Sequence, residues 1–419
     1  MRVAGTLRVP GDKSISHRAL MLAALSDGTS RVRGLLTSAD VRSTASVLRA
    51  LGVAIPDLTE GEIEVRGVGR RGLRASAADL DCGNSGTTAR LLSGILAATP
   101  FTARLVGDAS LSRRPMRRVA RPLAAMGARL TFDHGDGLPL TITGGALRGL
   151  TWFSEVASAQ VKSAILLAGL VADVPVEVHE TQATRDHTER MLRARGVDVR
   201  TEGLTVTLVP GGRLDAADTG VPGDPSSAAF FAALAALAGS GTLEIERVCT
   251  NPSRAGALRV LARMGAFVGH EDAATDGGEP VARLVIAPRT LTGTTIEPHE
   301  IPSLIDELPV LACVAARAAG ETRVTGAAEL RVKESDRIRA VVDNLRAVGA
   351  DAEELPDGFV VRGRDTPFRG RVTTHGDHRI AMAFGVLGAL DGNAIEVDDR
   401  ECVAVSYPGF WSDLDRVRH

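Results

Sequence analysis

The chain has 419 residues, 49 basic and 51 acidic, for a net charge of −2. That length suggests two or three domains with sizeable cores, and the balanced charge offers no chain-wide field for nucleic acid or membrane. Aromatic residues are only 3%, which argues against stacking platforms for single-stranded nucleic acid; no apolar run reaches the ~20 residues of a bilayer span, and the first residues lack an apolar core of signal-peptide length.

In chain order, six Ala/Leu-rich segments read as helices, each leading through a turn into a strand. They are His17–Leu25 into Ser30–Gly34, Thr87–Ala98 into Thr102–Val106, and Val161–Val171 into Val176–His179. Ser227–Ala238 into Thr242–Val248, Leu308–Ala319 into Thr322–Gly326, and Ile380–Leu390 into Ala394–Asp398 complete the series. These helices are apolar on nearly every face, so burial is expected. A second series interleaves with them: a helix end, a glycine, a small residue, then a strand. Its glycines are Gly52, Gly127, Gly196, Gly265 and Gly349, each placed as a helix C-cap signal. Six units of roughly 70 residues exceed solenoid repeats, so small α/β units packed into larger bodies are expected.

Polar residues crowd the starts of the apolar helices: Asp12-Lys-Ser-Ile-Ser-His-Arg18, Cys82-Gly-Asn-Ser-Gly-Thr-Thr88, Ala157-Ser-Ala-Gln-Val-Lys162, Gly223-Asp-Pro-Ser-Ser227, Ile301-Pro-Ser-Leu-Ile-Asp306 and Thr374-His-Gly-Asp-His-Arg379. Ordinary N-caps explain the serines and aspartates, most simply at Asp224–Ser227. Caps do not require Lys13, Arg18, Gln160 or Arg379. Converging amino ends of buried helices would pool free N–H groups and positive dipole ends into an anion cradle. The chain carries 46 arginines but three lysines, Lys13, Lys162 and Lys333; those positions are expected to need a compact ammonium that a guanidinium cannot replace. Arg331-Val-Lys-Glu-Ser-Asp-Arg337 would, on a helix, place Lys333 and Arg337 on one face. Gly11-Asp-Lys-Ser14 fails as a P-loop for want of a glycine directly before the lysine. His375-Gly-Asp-His378 lacks a distant third ligand, so no metal is expected. The dispersed Cys82, Cys249, Cys313 and Cys402 read as reduced core residues of a cytoplasmic protein.

Taken together, the motifs resemble the EPSP synthase (3-phosphoshikimate 1-carboxyvinyltransferase) family. The resemblance rests on Gly11-Asp-Lys-Ser-Ile-Ser-His-Arg-Ala19, Gly83-Asn-Ser-Gly-Thr87, Arg114-Pro-Met116, Ser158-Ala-Gln160 and Thr184-Arg-Asp-His187, then Asn251-Pro-Ser-Arg254, Ser303-Leu-Ile-Asp-Glu307, Arg331–Arg337 and Asp377-His-Arg379, all in family order. It implies an α/β fold: a two-domain inside-out α/β barrel, each domain three βαβαββ units with buried parallel helices. Residues 13–224 would form one domain, and 1–12 plus 225–419 the other, with the active site in the interdomain cleft. The implied reaction moves the carboxyvinyl group of phosphoenolpyruvate to the 5-hydroxyl of shikimate 3-phosphate by addition and elimination, with no cofactor.

Carried over by motif, Asp306 is the candidate base and Glu334 the candidate acid, with Lys333 close enough to share proton traffic and Lys13 also catalytic. Lys13, Ser14, Arg18, Ser158, Gln160, Arg185, Asp306 and Lys333 match shikimate 3-phosphate contacts; Lys13, Gly86, Arg114, Gln160, Arg337 and Arg379 match phosphoenolpyruvate contacts. Arg185 and the Asp12-Lys13 pair fit the class II subgroup, while Val405 stands where many members have a lysine and Ala159 where some have a second serine. Gly86 leaves room for glyphosate, so inhibition is expected. A sister enzyme acting on UDP-N-acetylglucosamine would instead carry a lysine–asparagine pair near its N-terminus; a non-catalytic binder would not need Asp306 and Glu334 together; an RNA-end-processing enzyme fits the neutral charge poorly. A monomer is expected, with no nucleic-acid or membrane partner.

Overall fold

Every apolar segment is a helix in the computed structural model, which describes residues 1–59 and 61–419. In chain order the helices are α1 (Lys13–Leu25), α2 (Ala39–Ala50), α3 (Gly86–Ala97), α4 (Arg117–Met126), α5 (Ala159–Ala172), α6 (His187–Arg193), α7 (Pro225–Ala236), α8 (Gly256–Met264), α9 (Leu308–Ala315), α10 (Arg337–Ala347), α11 (His378–Gly388) and α12 (Phe410–Arg416). Five of the six apolar helices start earlier than the hydrophobic pattern places them, because a side chain caps the first turn. Asp12, Ser85, Ser158, Asp224 and Asp377 each accept a backbone N–H from that turn. Only α9 lacks such a bond; it follows a 3₁₀ turn at Ile305–Glu307 and carries proline in its first turn. It also ends at Ala315, not Ala319, where the chain tightens into a turn before Gly320.

The chain divides into two compact units, one comprising residues 1–10, 222–274 and 280–419, the other residues 11–221 and 275–279. Each has three interior helices, α1, α3 and α5 in the second and α7, α9 and α11 in the first. Every residue of α7 is buried. The strands around them alternate buried and exposed side chains, as at Thr29–Arg33 and Glu321–Val324, so one sheet face meets the helices and the other meets solvent. Helices inside and sheets outside is the inside-out arrangement.

Sheet topology shows the repeat. A strand before each interior helix pairs in parallel with the strand after it, and an antiparallel hairpin follows. Leu80–Asp81, Thr102–Val106, Leu140–Thr143 and Arg129–Phe132 form one such sheet; Leu150–Phe153, Val176–His179, Thr205–Leu208 and Val199–Glu202 form another. In two repeats the first strand comes from far along the chain. Thr219–Gly220 pairs beside Thr29–Arg33 to serve α1, and Gly5–Leu7 beside Leu243–Cys249 to serve α7. These two short strands make each unit's own sheet complete and explain why the first unit is discontinuous. Two repeats depart from the pattern: among the described residues that of α1 has one antiparallel strand, Glu62–Arg66, beside Thr29–Arg33, and in the last, Arg369–Val372 pairs with Ala394–Val397 but a 3₁₀ turn at Glu401–Val405 and α12 replace the hairpin.

The outer helices end as the glycine series predicts. Gly52, Gly127, Gly196, Gly265 and Gly349 all have positive φ, and the next residue's N–H reaches back to a helix carbonyl, as Ala266 does to Leu261 at 3.0 Å. This is the left-handed cap that lets the chain turn at once into a strand. At Gly265, φ is +119° and a Cβ would lie 2.4 Å from the Thr290 carbonyl oxygen. Gly265→Ala should therefore lower unfolding stability by about 1–3 kcal/mol, read as a fall in the urea midpoint at constant slope. Gly135→Ala, at φ +57° with open space around it, should lose less; equal losses would show that the close approach contributes nothing.

Candidate active site

The interior helices bring their N-terminal ends together within each unit. In residues 11–221, Lys13 is the first residue of α1, Gly86 the first of α3 and Gln160 the second of α5. A chain of hydroxyls ties these ends: His17 Nδ1 lies 2.6 Å from Thr44 Oγ1, Thr44 is 2.7 Å from Thr88 Oγ1, and Thr88 donates to Ser85 Oγ at 2.8 Å. Gln160 Nε2 donates to Thr87 Oγ1 at 3.1 Å, and its Oε1 accepts from Arg90 Nη1 at 2.9 Å. Lys13 faces Asp40 at 3.1 Å and is about a quarter exposed. Arg114 Nη2 donates to Asn84 Oδ1 at 2.7 Å. A Cβ on Gly86 would lie 2.7 Å from Arg90 Nη1, too close unless that guanidinium shifts, and in ordinary contact with Arg114 Nη1 at 3.7 Å, so glycine leaves room for the Arg90 guanidinium at this helix end.

Arg18 is turned inward. Its Nε donates to Thr188 Oγ1 at 2.7 Å, Nη2 to Ser163 Oγ at 2.8 Å and Nη1 to the Ser14 carbonyl at 2.9 Å. Burial lowers this guanidinium to about 10, opposed by Glu189, Asp12 and Glu279, while the charge of Arg185 adds to the fall. Arg18 and Arg185 thus feel each other as like charges, the setting in which an anion between them is favoured. Ser158 is the cap of α5 and Ser14 follows Lys13 on α1. Lys162 is inside the protein, 2.7 Å from both Glu180 and Glu189.

In the other unit the centre is Arg337, whose side chain is 1% exposed. Its Nε donates to Asp377 Oδ2 at 2.8 Å, Nη2 to Glu334 Oε2 at 2.6 Å and Nη1 to Asp306 Oδ1 at 3.3 Å. Lys333 Nζ lies 3.5 Å from the same Asp306 oxygen, and Arg379 Nη1 donates to the Asp306 carbonyl at 3.1 Å. Burial pushes the Asp377 carboxyl up, but the Arg337 charge and hydrogen bonds outweigh it and hold the group below the usual carboxylate range. Ser226, at the start of α7, donates to Glu307, and Arg379 lies 3.8 Å from that carboxylate. Asp224 does more than cap: Arg254, itself buried, donates to it at 3.1 Å.

The helical reading of Lys333–Arg337 fails. Lys333 ends a 3₁₀ turn at Ala328–Val332, and α10 begins only at Arg337, capped by Asp336. Asp336 and Glu354 also hold Arg331, both at 2.9 Å. The non-helical bend is what turns Lys333 and Glu334 toward Asp306 and Arg337. Asp377, quoted above within His375-Gly-Asp-His378 and the motif Asp377-His-Arg379 but given no role there, is committed to Arg337; among the described residues no group of three or more His, Cys, Asp or Glu is placed to hold a metal ion. Val405 lies in the last 3₁₀ turn and is 40% exposed. Three cysteines are buried, but Cys402 is partly exposed. Among the described residues, no helix is long and apolar enough to cross a membrane. Arg90, Asp40 and Asp377 are the site residues that sequence reasoning passed over; a lone arginine within an otherwise apolar helix was the available signal for Arg90.

NikO of Streptomyces tendae, an enolpyruvyl transferase, matches with a TM-score of 0.75 over 99% of this chain and 95% of that one, at 18% identity, a likeness of fold alone. An EPSP synthase from Acinetobacter baumannii is nearer, with TM-score 0.91 and 45% identity over 99% of this chain and 96% of its own. The 3-phosphoshikimate 1-carboxyvinyltransferase of a Sulfurihydrogenibium species is 48% identical over 99% of this chain and 97% of its own, and that of Halorhodospira halophila 50% over 99% and 93%. The EPSP synthase family model, described as 3-phosphoshikimate 1-carboxyvinyltransferase, matches residues 1–414. The chain belongs to the EPSP synthase family.

Burial pushes the His17 imidazole down to about 3, with Asp40 opposing and Lys13 and Arg18 adding. An unfolded histidine titrates near ~6.5, so between about pH 6.5 and 3 the unfolded chain holds a proton that the folded chain refuses. This contribution to stability is complete above the unfolded value and is lost as pH falls, by up to about 1.4 kcal/mol per pH unit. In urea titrations from pH 7 to 4, His17→Asn should flatten the decline in unfolding free energy; an unchanged slope would show that His17 plays no part in it.

Proposed function

We propose that the protein transfers the carboxyvinyl group of phosphoenolpyruvate to the 5-hydroxyl of shikimate 3-phosphate and releases phosphate. The observation that carries the reading is the pairing of Asp306 and Glu334 on one buried guanidinium, 3.3 and 2.6 Å from Arg337, with Lys333 beside Asp306. Two carboxylates held at fixed places among cations are what an addition–elimination needs. Asp306 accepts the hydroxyl proton as oxygen attacks C2 of phosphoenolpyruvate, and Glu334 delivers a proton to the methylene carbon. The tetrahedral adduct then loses phosphate as the conjugate base takes a methyl proton back, regenerating the vinyl group.

The first half of the machinery is anion binding. Lys13, Ser14, Arg18, Ser158, Gln160 and Arg185 hold shikimate 3-phosphate; Lys13, the Gly86 backbone, Arg114, Gln160, Arg337 and Arg379 hold phosphoenolpyruvate. Both ligands carry a phosphate and a carboxylate, which suits guanidiniums and helix amino ends. Arg90, bonded to Gln160 and to the Pro115 carbonyl, joins this reading as the group that fixes Gln160. With Lys333, Asp306 also contacts the acceptor.

A phosphate-release assay on the purified chain tests this. Release should require both substrates and survive a chelator, and Asp306→Ala should lower kcat by about 100-fold or more while shikimate 3-phosphate still binds. Release from phosphoenolpyruvate alone, or a fully active Asp306→Ala, would refute the assignment.

Glyphosate should inhibit in competition with phosphoenolpyruvate. A methyl at Gly86 would press the buried Arg90 guanidinium off Gln160, so Gly86→Ala should raise both the inhibition constant and the KM for phosphoenolpyruvate. A variant with wild-type inhibition would show that Gly86 does not border the inhibitor.

A further inference from the structure

Lys162 is the one lysine that touches neither proposed substrate, and it is the most buried of the three, 2% exposed. Its ammonium lies 2.7 Å from Glu180 Oε2 and 2.7 Å from Glu189 Oε1, carboxylates that are themselves 7% and 1% exposed. Burial pulls the ammonium down, but Glu189 and Glu180 outweigh that and hold it above its ordinary range. The charge is therefore present, and both carboxylates depend on it.

Each carboxylate leads to a residue assigned to the acceptor. Glu180 accepts the Thr184 hydroxyl, anchoring the loop whose next residue is Arg185. Glu189 is the largest charge opposing the fall of Arg18. Glu189 sits on α6 next to Thr188, which accepts from Arg18 Nε at 2.7 Å and donates to Ser163 Oγ at 2.7 Å. Ser163 follows Lys162 on α5, the helix that begins at Ser158 and Gln160. One ammonium thus ties α5, the 180–186 loop and α6 around Arg18 and Arg185. Without it, two buried carboxylates would face each other unpaired, which is strongly unfavourable. Relief would come either by opening the loop or by drawing Glu189 onto Arg18.

We propose that Lys162 is a positioning residue for the acceptor: it neutralises Glu180 and Glu189, fixing Arg185 and leaving the charge of Arg18 for shikimate 3-phosphate. This rests on the substrate reading above. Its specific consequence is asymmetry: the ties converge on Arg18 and Arg185, assigned to the acceptor alone, and none reaches Gly86, Arg114 or Arg379, which hold phosphoenolpyruvate, while Gln160 at the start of α5 serves both ligands.

Lys162→Met should raise the KM for shikimate 3-phosphate by about tenfold or more while the KM for phosphoenolpyruvate and kcat change less than about threefold. Lys162→Arg should not restore it, since a planar fork donates along fixed directions and cannot reproduce the point charge that meets both carboxylates. If Lys162→Met does not fold, Thr184→Val, which cuts only the loop's tie to Glu180, should shift the same KM in the same direction. Equal changes in both KM values, or loss of thermal stability with both KM values unchanged, would overturn the proposal. Calorimetric titration with shikimate 3-phosphate reads the grip without turnover. A wild type that binds the acceptor but releases no phosphate would sink the proposed reaction, and the Lys162 comparison would still decide this inference.

Discussion

The buried guanidinium of Arg337 is the constraint on which the charged cluster of Asp306, Glu334 and Asp377 depends. A cation in a site 1% exposed costs several kcal/mol unless it is paired, and here Asp377, Glu334 and Asp306 all lie within 3.3 Å of it. The planar fork fixes where each carboxylate sits, which a lysine with its rotatable point charge would not do. Asp377 is the structural partner, since it also caps α11 and takes the Ser335 hydroxyl at 2.9 Å. Asp306 and Glu334 are the two that keep an edge toward solvent, 13% and 32% exposed. Burying the first partner and leaving the other two accessible is what would allow one guanidinium to be both a structural cation and, in the proposed reaction, a template for proton transfer.

The two units spend their charges differently. Around Arg337 carboxylates and cations are interleaved, a balance that suits moving protons at little net cost in charge. Around α1, α3 and α5 the cations Lys13, Arg18, Arg90, Arg114 and Arg185 dominate, and the nearby carboxylates are held back: Asp40 by Lys13, and Glu180 and Glu189 by Lys162. An excess of positive charge at helix amino ends is costly until an anion arrives, and that cost is what a phosphate relieves on binding. In the proposed reaction most of the binding cations thus belong to one unit and both proton-transfer carboxylates to the other, where Arg337 and Arg379 also bind phosphoenolpyruvate.

How much of this the sequence revealed follows from the range of each signal. The interior helices were legible because they are apolar on every face, and the outer ones because each ends at a glycine with positive φ; both are local properties. The early starts were missed because the capping turns of α1 and α5 are polar and read as loop. The strands Gly5–Leu7 and Thr219–Gly220 have no periodicity to detect at three and two residues, yet they complete the sheets serving α7 and α1. The bend at Lys333–Asp336 was misread as helix because i,i+4 spacing fits both; the cap at Asp336 overrides it. Arg90 and Asp377 were passed over because their partners, Gln160 and Arg337, are 70 and 40 residues away.

The lysine count carries a further physical lesson. In a chain where arginine serves nearly everywhere, all three lysines are in close contact with carboxylates: Lys13 with Asp40 at 3.1 Å, Lys162 with Glu180 and Glu189 at 2.7 Å, and Lys333 with Asp306 at 3.5 Å. A guanidinium can also meet several carboxylates, as Arg337 meets three, but only along the fixed in-plane directions of its fork. An ammonium has three equivalent donors around a point and can divide itself between two acceptors, or between a protein carboxylate and an arriving oxygen. At Lys162 both acceptors belong to the protein and the division is permanent. At Lys13 and Lys333 one side of the ammonium is still exposed, 26% and 30%, so the same geometry that locks the interior lysine leaves the other two with capacity for a substrate anion. The residue type is thus retained for one property, division of a compact charge, and burial alone decides whether that property supports the scaffold or the ligand.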